Sequence, residues 1–156
     1  MFLKEKGIMG RIIARETGFK LIYEYLFNKE AEVAAFFKAG NIELEAEENT
    51  VVIDENNNLV VSEEEKEYAI SVYNAVTQNY DELINVLDVN IKGFNINRVY
   101  KLDLAILLMA VAEIKYLNQD IALIINESVE IAKKYSTDKS PAFVNGVLGG
   151  FVKNLK

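Results

Sequence analysis

A chain of 156 residues with 51% apolar side chains is long enough to bury a core, and disorder is not the expected state. It has no cysteine and no histidine, which removes disulfides, thiolate nucleophiles, Cys-based zinc sites, the usual general base near neutral pH and the commonest metal ligand. The formal net charge of −7 argues against nucleic acid at first sight, because phosphate contacts supply most non-specific binding.

The distribution of charge reverses that reading. Residues 1–20 carry five basic and two acidic side chains, net +3, whereas residues 30–68 carry two basic and twelve acidic, net −10. Residues 69–156 balance at nine each, yet 133–156 hold Lys133, Lys134, Lys139, Lys153 and Lys156 against Asp138 alone. Both ends are therefore mildly basic. No apolar stretch approaches the roughly 18 residues of a membrane span, and Met1-Phe-Leu-Lys-Glu-Lys6 lacks the features of a secretory signal, so a cytoplasmic protein is expected.

From about Gly10 to Asn28 the apolar residues Ile12, Ile13, Phe19, Leu21, Ile22, Tyr25 and Leu26 recur at helical spacing. Glu32 to Lys38 reads as a short second helix stopped by Gly40. Residues 41–61 change character: Val51-Val-Ile and Leu59-Val-Val flank a polar Asn-rich turn, which predicts a small inserted hairpin. Ser62 followed by Glu65 has the form of a capping box opening a helix through Tyr68, Ile70, Val72 and Val76. Tyr80-Asp81 opens another helix through Leu83 and Leu87. Asn95 to Asn97 is a turn leading to a short helix over Arg98 to Tyr100.

Asp103 to Leu117 is apolar on nearly every side, which predicts a central buried helix carrying Asp103 and Glu113 as structural acids. Asp120 caps the next helix, whose expected inner face is Leu123, Ile124, Val129 and Ala132. Ser140 is the expected N-cap of the last helix, with Pro141 at its first position. Within that helix Asn145-Gly146 is unusual, since the pair normally marks a turn, and it suggests a close approach to the backbone by another helix or a ligand. Asn126, Glu127 and Asn145 are expected to be deeply set polar groups that fix the helix junction.

Arg11 and Arg15 are four residues apart on one helical face, with Lys4 and Lys6 on the arm before them. Such cations can track a phosphate backbone, although a solvated helix face is the plainer alternative. Tyr135 and Phe143 flank the turn Ser136-Thr-Asp-Lys-Ser140. Aromatics beside a basic turn suit unstacked bases, although they also close helix contacts. The acidic run at Glu43, Glu45, Glu47, Glu48, Asp54 and Glu55 lacks the spacing of a calcium loop and reads as a solvated edge. No metal site, cofactor loop or paired-carboxylate site is expected, and the chain is read as non-enzymatic.

Ile124-Ile-Asn-Glu-Ser-Val-Glu-Ile-Ala-Lys133 followed by Ser140-Pro-Ala-Phe-Val-Asn-Gly-Val-Leu-Gly149 resembles the C-terminal signature of the NusB family of transcription antitermination proteins. Ile13-Ala-Arg-Glu-Thr-Gly-Phe-Lys-Leu-Ile-Tyr23 is similar to the family's first helix, and Asp103-Leu-Ala-Ile-Leu-Leu-Met-Ala-Val-Ala-Glu113 to its central one. Residues 41–66 match nothing in the pattern.

The resemblance implies an all-α fold of about seven helices in two packed bundles, forming one RNA-binding domain over residues 1–156. It implies a boxA-type single-stranded RNA as ligand, the ribosomal protein NusE as partner, and membership of an RNA polymerase antitermination complex; a homodimer is compatible with it. RNA is then expected at Lys4, Lys6, Arg11, Arg15, Tyr135, Lys139, Phe143 and Asn145. The partner is expected at Tyr23 and the acidic start of the helix after Ser62, with Glu63, Glu64 and Glu67 complementing a basic protein. The family's arginine cluster before Ala-Arg-Glu is replaced here by Ile12 and Ile13, which motivates an alternative: a protein-interaction module of the same fold with weak or no RNA binding. A second rival, the accessory domain of an RNA cytosine methyltransferase, is disfavoured by a chain without room for a cofactor-binding sheet or a catalytic cysteine.

Overall fold

The computed structural model describes residues 2–29, 43–45, 52–53 and 59–155, with side chains over 11–29 and 63–155. Helix α1 runs Phe2–Phe27; strands β1 Glu43–Glu45, β2 Val52–Ile53 and β3 Leu59–Ser62 follow. Then come helices α2 Glu63–Gln78, α3 Tyr80–Asp88, α4 Lys101–Lys115, α5 Ile121–Tyr135 and α6 Ser140–Lys153, with a short 3-10 turn at Ile96–Arg98. The expected helix over 32–38 lies outside the described residues. Contacts divide the chain into two compact units, Met1–Tyr73 and Asn74–Lys156.

In the first unit α1 is longer than its apolar pattern predicts, because it begins at Phe2 and absorbs the expected N-terminal arm. Ile13, Phe19, Leu21 and Ile22 are buried as the spacing requires. Tyr25 meets Tyr73 of α2 edge to face, with ring centroids 5.9 Å apart. The inserted segment forms the expected hairpin, β2 antiparallel to β3 with Val52 opposite Val60. A third strand adds to it: β1 pairs parallel to β3, Leu44 opposite Val61. Helix α2 starts at Glu63, directly after Ser62, as the capping pattern predicts.

The second unit is organised around α4. Every residue from Asp103 to Ile114 is buried, so this helix has no solvent face, and α3, α5 and α6 pack about it. Burial on this scale stabilises the unit, at roughly 25 cal/mol per Å² of apolar surface removed from water. Asp120 accepts from the Leu123 amide at 2.9 Å and so caps α5 as expected. The inner face of α5 differs from expectation. Ile124, Ser128, Ile131 and Ala132 point inward, whereas Leu123 is 44% exposed. Position 123 lies about 100° around the helix from Ile124, off the face that Ile124, Ser128, Ile131 and Ala132 share.

Glu82 of α3 clamps the C-terminal end of α4. One carboxylate oxygen accepts from Lys115 Nζ at 2.6 Å and the other from the Tyr116 hydroxyl at 2.7 Å. Burial first, and the Glu82 hydrogen bond second, push the Tyr116 phenol from its ordinary 10.0 up to about 12. A raised folded pKa means that the protonated phenol stabilises the fold in full below pH 10, the unfolded value, and that this stabilisation is lost as pH rises through about 12. In an alkaline titration followed by tyrosinate absorbance, Tyr116→Phe should therefore remove a step near pH 12. Glu82→Gln should move that step downward without bringing it to the ordinary value, because burial is the larger cause. An unchanged step near pH 12 in Tyr116→Phe would contradict the clamp.

Candidate nucleic-acid interface

Asp103 lies in the first turn of α4, where a negative charge interacts well with the helix dipole, and it is only 3% exposed. Ser136, at the end of α5, donates its hydroxyl to Asp103 Oδ1 at 2.5 Å. The Ser140 hydroxyl lies 2.8 Å from those of Ser136 and Thr137 and accepts from the Thr137 amide at 3.2 Å. The turn between α5 and α6 is thus pinned to the central helix by a side-chain network. Ser140 does not cap α6 as expected: it is the helix's first residue, is buried, and turns its hydroxyl back into the turn. Lys139 occupies the cap position, with no side-chain cap bond.

The pinned turn forms one wall of a cleft of about 320 Å³, lined by Phe94, Arg98, Val99, Tyr100, Asp103, Thr137, Lys139, Ser140 and Phe143. Phe94 and Phe143 stack with ring centroids 5.7 Å apart and planes 25° apart. Tyr100 is 66% exposed and Phe94 42%, and the cations Lys139 and Arg98 are exposed at the rim. Among the described residues the one carboxylate lining the cleft is Asp103, which accepts the Ser136 hydroxyl. Exposed aromatic rings beside cations can stack on bases while phosphates are held at the edge. Tyr135 is half-buried outside this cleft, with Lys134 Nζ 5.3 Å from its ring centroid.

Phe94, Arg98 and Tyr100 escaped the sequence reading, which took Asn95–Asn97 only as a turn. The 3-10 turn falls at Ile96–Arg98, two residues before the expected helix, because Asn95 accepts from the Asn97 amide at 2.8 Å and Ile96 is buried. A signal was present: aromatic and basic residues alternate with turn formers through Lys92-Gly-Phe-Asn-Ile-Asn-Arg-Val-Tyr100.

In the first unit the guanidinium of Arg11 lies 3.8 Å from the centroid of the Tyr68 ring, while that of Arg15 lies 5.9 Å away. Arg11 is half-buried, but Arg15 is only 3% exposed, so it is not the accessible phosphate contact its spacing suggested. The reason lies in α1 itself: Arg15 falls between the core residues Ile13, Ala14, Phe19 and Ile22 and shares their burial. Lys4 and Lys6 sit on the continuous helix α1 rather than on an arm, and their side chains lie outside the described residues.

The expected partner-binding residues Glu63, Glu64 and Glu67 are exposed on the first turns of α2, whereas Glu65 is buried. Tyr23 is half-buried, with ring centroids 6.3 Å from Phe19 and 4.9 Å from Phe27, and Phe27 is 63% exposed.

Asn126 and Asn145 are exposed and Glu127 half-buried, so none of them is the deeply set polar group expected. Adjacent apolar letters misled here, because α5 and α6 each bury only one face. Gly146 meets no close neighbour either: a Cβ there would have nothing within 4 Å. The tight approach falls at Gly150, where a Cβ would stand 3.2 Å from Asn90 Oδ1. Among the described residues no group of three or more Asp, Glu, His or Cys could hold a metal ion, and no helix is long and apolar enough to cross a membrane.

A family model described as the NusB family matches residues 12–153. The transcription antitermination protein NusB of Clostridium novyi (strain NT) is 36% identical over 149 residues, covering 93% of this chain and 99% of its own. That of Agathobacter rectalis is 37% identical over 145 residues, covering 92% and 99%. A solved structure described as a crystal structure of the antitermination factors NusB and NusE in complex with dsRNA shares the fold, with a TM-score of 0.72 at 24% identity over 94% of this chain and 98% of that one. With a family model spanning nearly all of its length and relatives matched from end to end, this chain belongs to the NusB family.

Proposed function

We propose that this protein is a transcription antitermination factor that binds a boxA-type single-stranded RNA together with the ribosomal protein NusE, within an RNA polymerase complex that resists termination in ribosomal RNA operons. The observation that carries this reading is the cleft of the second unit. In a chain of net charge −7, its mouth gathers Phe94, Tyr100 and Phe143 with Arg98 and Lys139, and Asp103, the one carboxylate lining it among the described residues, is buried and accepts the Ser136 hydroxyl. The names of the relatives, and the solved complex of NusB and NusE with RNA, support the same reading.

In this reading bases stack on the aromatic rings while Lys139 and Arg98 hold phosphates, and Tyr135 and Asn145 lie beside the path. Arg11 adds a phosphate contact from the first unit, with Lys4 and Lys6 on the same helix. Tyr23, Glu63, Glu64 and Glu67 face the basic ribosomal protein, whose opposite charge would steer and orient it. The whole chain acts as one RNA-binding domain in the cytoplasm, by binding and without catalysis. The burial of Arg15 removes one cation from α1 and favours, as a second reading, an interaction module with little RNA affinity.

Titrating labelled boxA RNA and an unrelated RNA, with and without NusE, separates the two. Under the main reading Lys139→Glu weakens binding to every RNA and lowers the salt slope by about one unit or more. Phe94→Ala costs about 1–3 kcal/mol of binding with the slope unchanged, and its exposed ring leaves the fold intact. Equal, weak binding of both RNAs by the wild type, even with NusE, would establish the interaction-only reading.

The Tyr68 ring makes a separate prediction about Arg11. A guanidinium stacked on a ring keeps its N–H edges free for a phosphate while its rotamer is fixed. Tyr68→Phe should bind RNA as the wild type does, whereas Tyr68→Leu should lose most of what Arg11→Ala loses, and the double variant little more. If Arg11→Ala weakens binding and Tyr68→Leu does not, the stacking has no role in RNA binding.

A further inference from the structure

Phe94 and Phe143, which line the cleft, also line a second hollow of about 650 Å³ that runs along α6. Among the described residues its charged lining is Lys92 and Lys153, both exposed, with no carboxylate. Part of its floor is helix backbone, at Gly146 and Gly149. Glycine is the poorest helix former after proline, so glycines inside a helix call for a reason. Gly150 has one in Asn90, whose Oδ1 would lie 3.2 Å from a Cβ there and which holds Asn154 Nδ2 at 2.9 Å. At Gly146 and Gly149 a Cβ would meet nothing within 4 Å, so no neighbour among the described residues requires them.

We propose that this groove is a second RNA subsite, which continues the single-stranded path out of the cleft past the Phe94–Phe143 pair. A base rests against the aromatic pair, Lys92 and Lys153 hold the phosphates on either side, and the bare backbone at Gly146 and Gly149 lets the sugar-phosphate chain lie close to α6. The charge selects this occupant: two lysines without a carboxylate attract a polyanion and repel a basic protein partner. The proposal rests on the RNA-binding reading and extends it to nucleotides flanking the core element.

The test uses the full chain, a boxA-type RNA, and the same RNA lengthened by about four nucleotides at each end. The wild type should bind the longer RNA about tenfold more tightly than the shorter. Gly146→Ala and Gly149→Ala should keep or raise the melting temperature, since alanine is the better helix former and finds open space. Both should nevertheless lose most of the gain from the longer RNA while binding the shorter one as the wild type does. Lys92→Ala and Lys153→Ala should each lower the salt slope for the longer RNA alone, by about one unit.

If the wild type binds the short RNA but gains nothing from the extension, or if the alanine variants keep the whole gain, the groove is no RNA subsite while the cleft reading survives. If the alanine variants keep both RNAs and lose a protein partner or self-association instead, a polypeptide occupies the groove and the proposal is overturned. If the wild type binds neither RNA, the RNA-binding reading fails and the subsite with it.

Discussion

The cleft of the second unit depends on one hydrogen bond, from the hydroxyl of Ser136 to the buried carboxylate of Asp103. A charge so far out of water is tolerated only with partners, and Asp103 has the first turn of α4 and the Ser136 hydroxyl. Releasing the turn would leave that carboxylate without its hydroxyl partner, at a cost of the order of 1–3 kcal/mol. The position of Lys139 and Phe143 is therefore inherited from the core through Ser136 and Ser140. A surface held in this way has little left to order when a ligand arrives, and the cost of ordering is a large part of what weakens binding.

Burial of the same carboxylate shapes the local electrostatics. Asp103 lines the cleft but is only 3% exposed, whereas Arg98 and Lys139 are exposed at its rim. Net charge is a poor guide for such a protein, because salt screens exposed charges beyond roughly 10 Å at 0.1 M, and what a ligand meets is the set of groups within that range. The twelve acidic residues of 30–68 dominate the total without saying anything about the cleft.

Where an element is apolar all round or carries a terminal cap, its sequence specified it. The buried run of α4 and the Asp120 cap of α5 were legible because both are local facts of the chain. The hairpin of β2 and β3 was legible for the same reason, whereas the parallel pairing of β1 was not, since it depends on a long-range register. Burial of individual polar residues was not legible either. Arg15 looked accessible because it is charged, and Asn145 looked buried because its neighbours are apolar. Both judgements failed for one reason: a helix buries one face, and which face is decided by partners distant in sequence. Of the candidate site, the turn from Ser136 to Ser140 could be read, but the opposite wall at Phe94 to Tyr100 is brought to it only by folding about α4.

Two kinds of local misfit remain in the structure, and they have different explanations. Gly150 yields to Asn90 and is explained by packing, whereas Gly146 and Gly149 face open space. Departures from local preference that no internal contact explains are the ones to associate with a ligand. Ile12 and Ile13 are the opposite case. Ile13 is 7% exposed and Ile12 is half-buried, so both contribute to the first unit's core. Their cost falls on charge, and Arg15 cannot make it good because it too is buried. Under the proposed reading, Arg11 compensates through order instead of number. Its guanidinium is already stacked 3.8 Å from the centre of the Tyr68 ring, so a phosphate meets a cation whose orientation is set before binding.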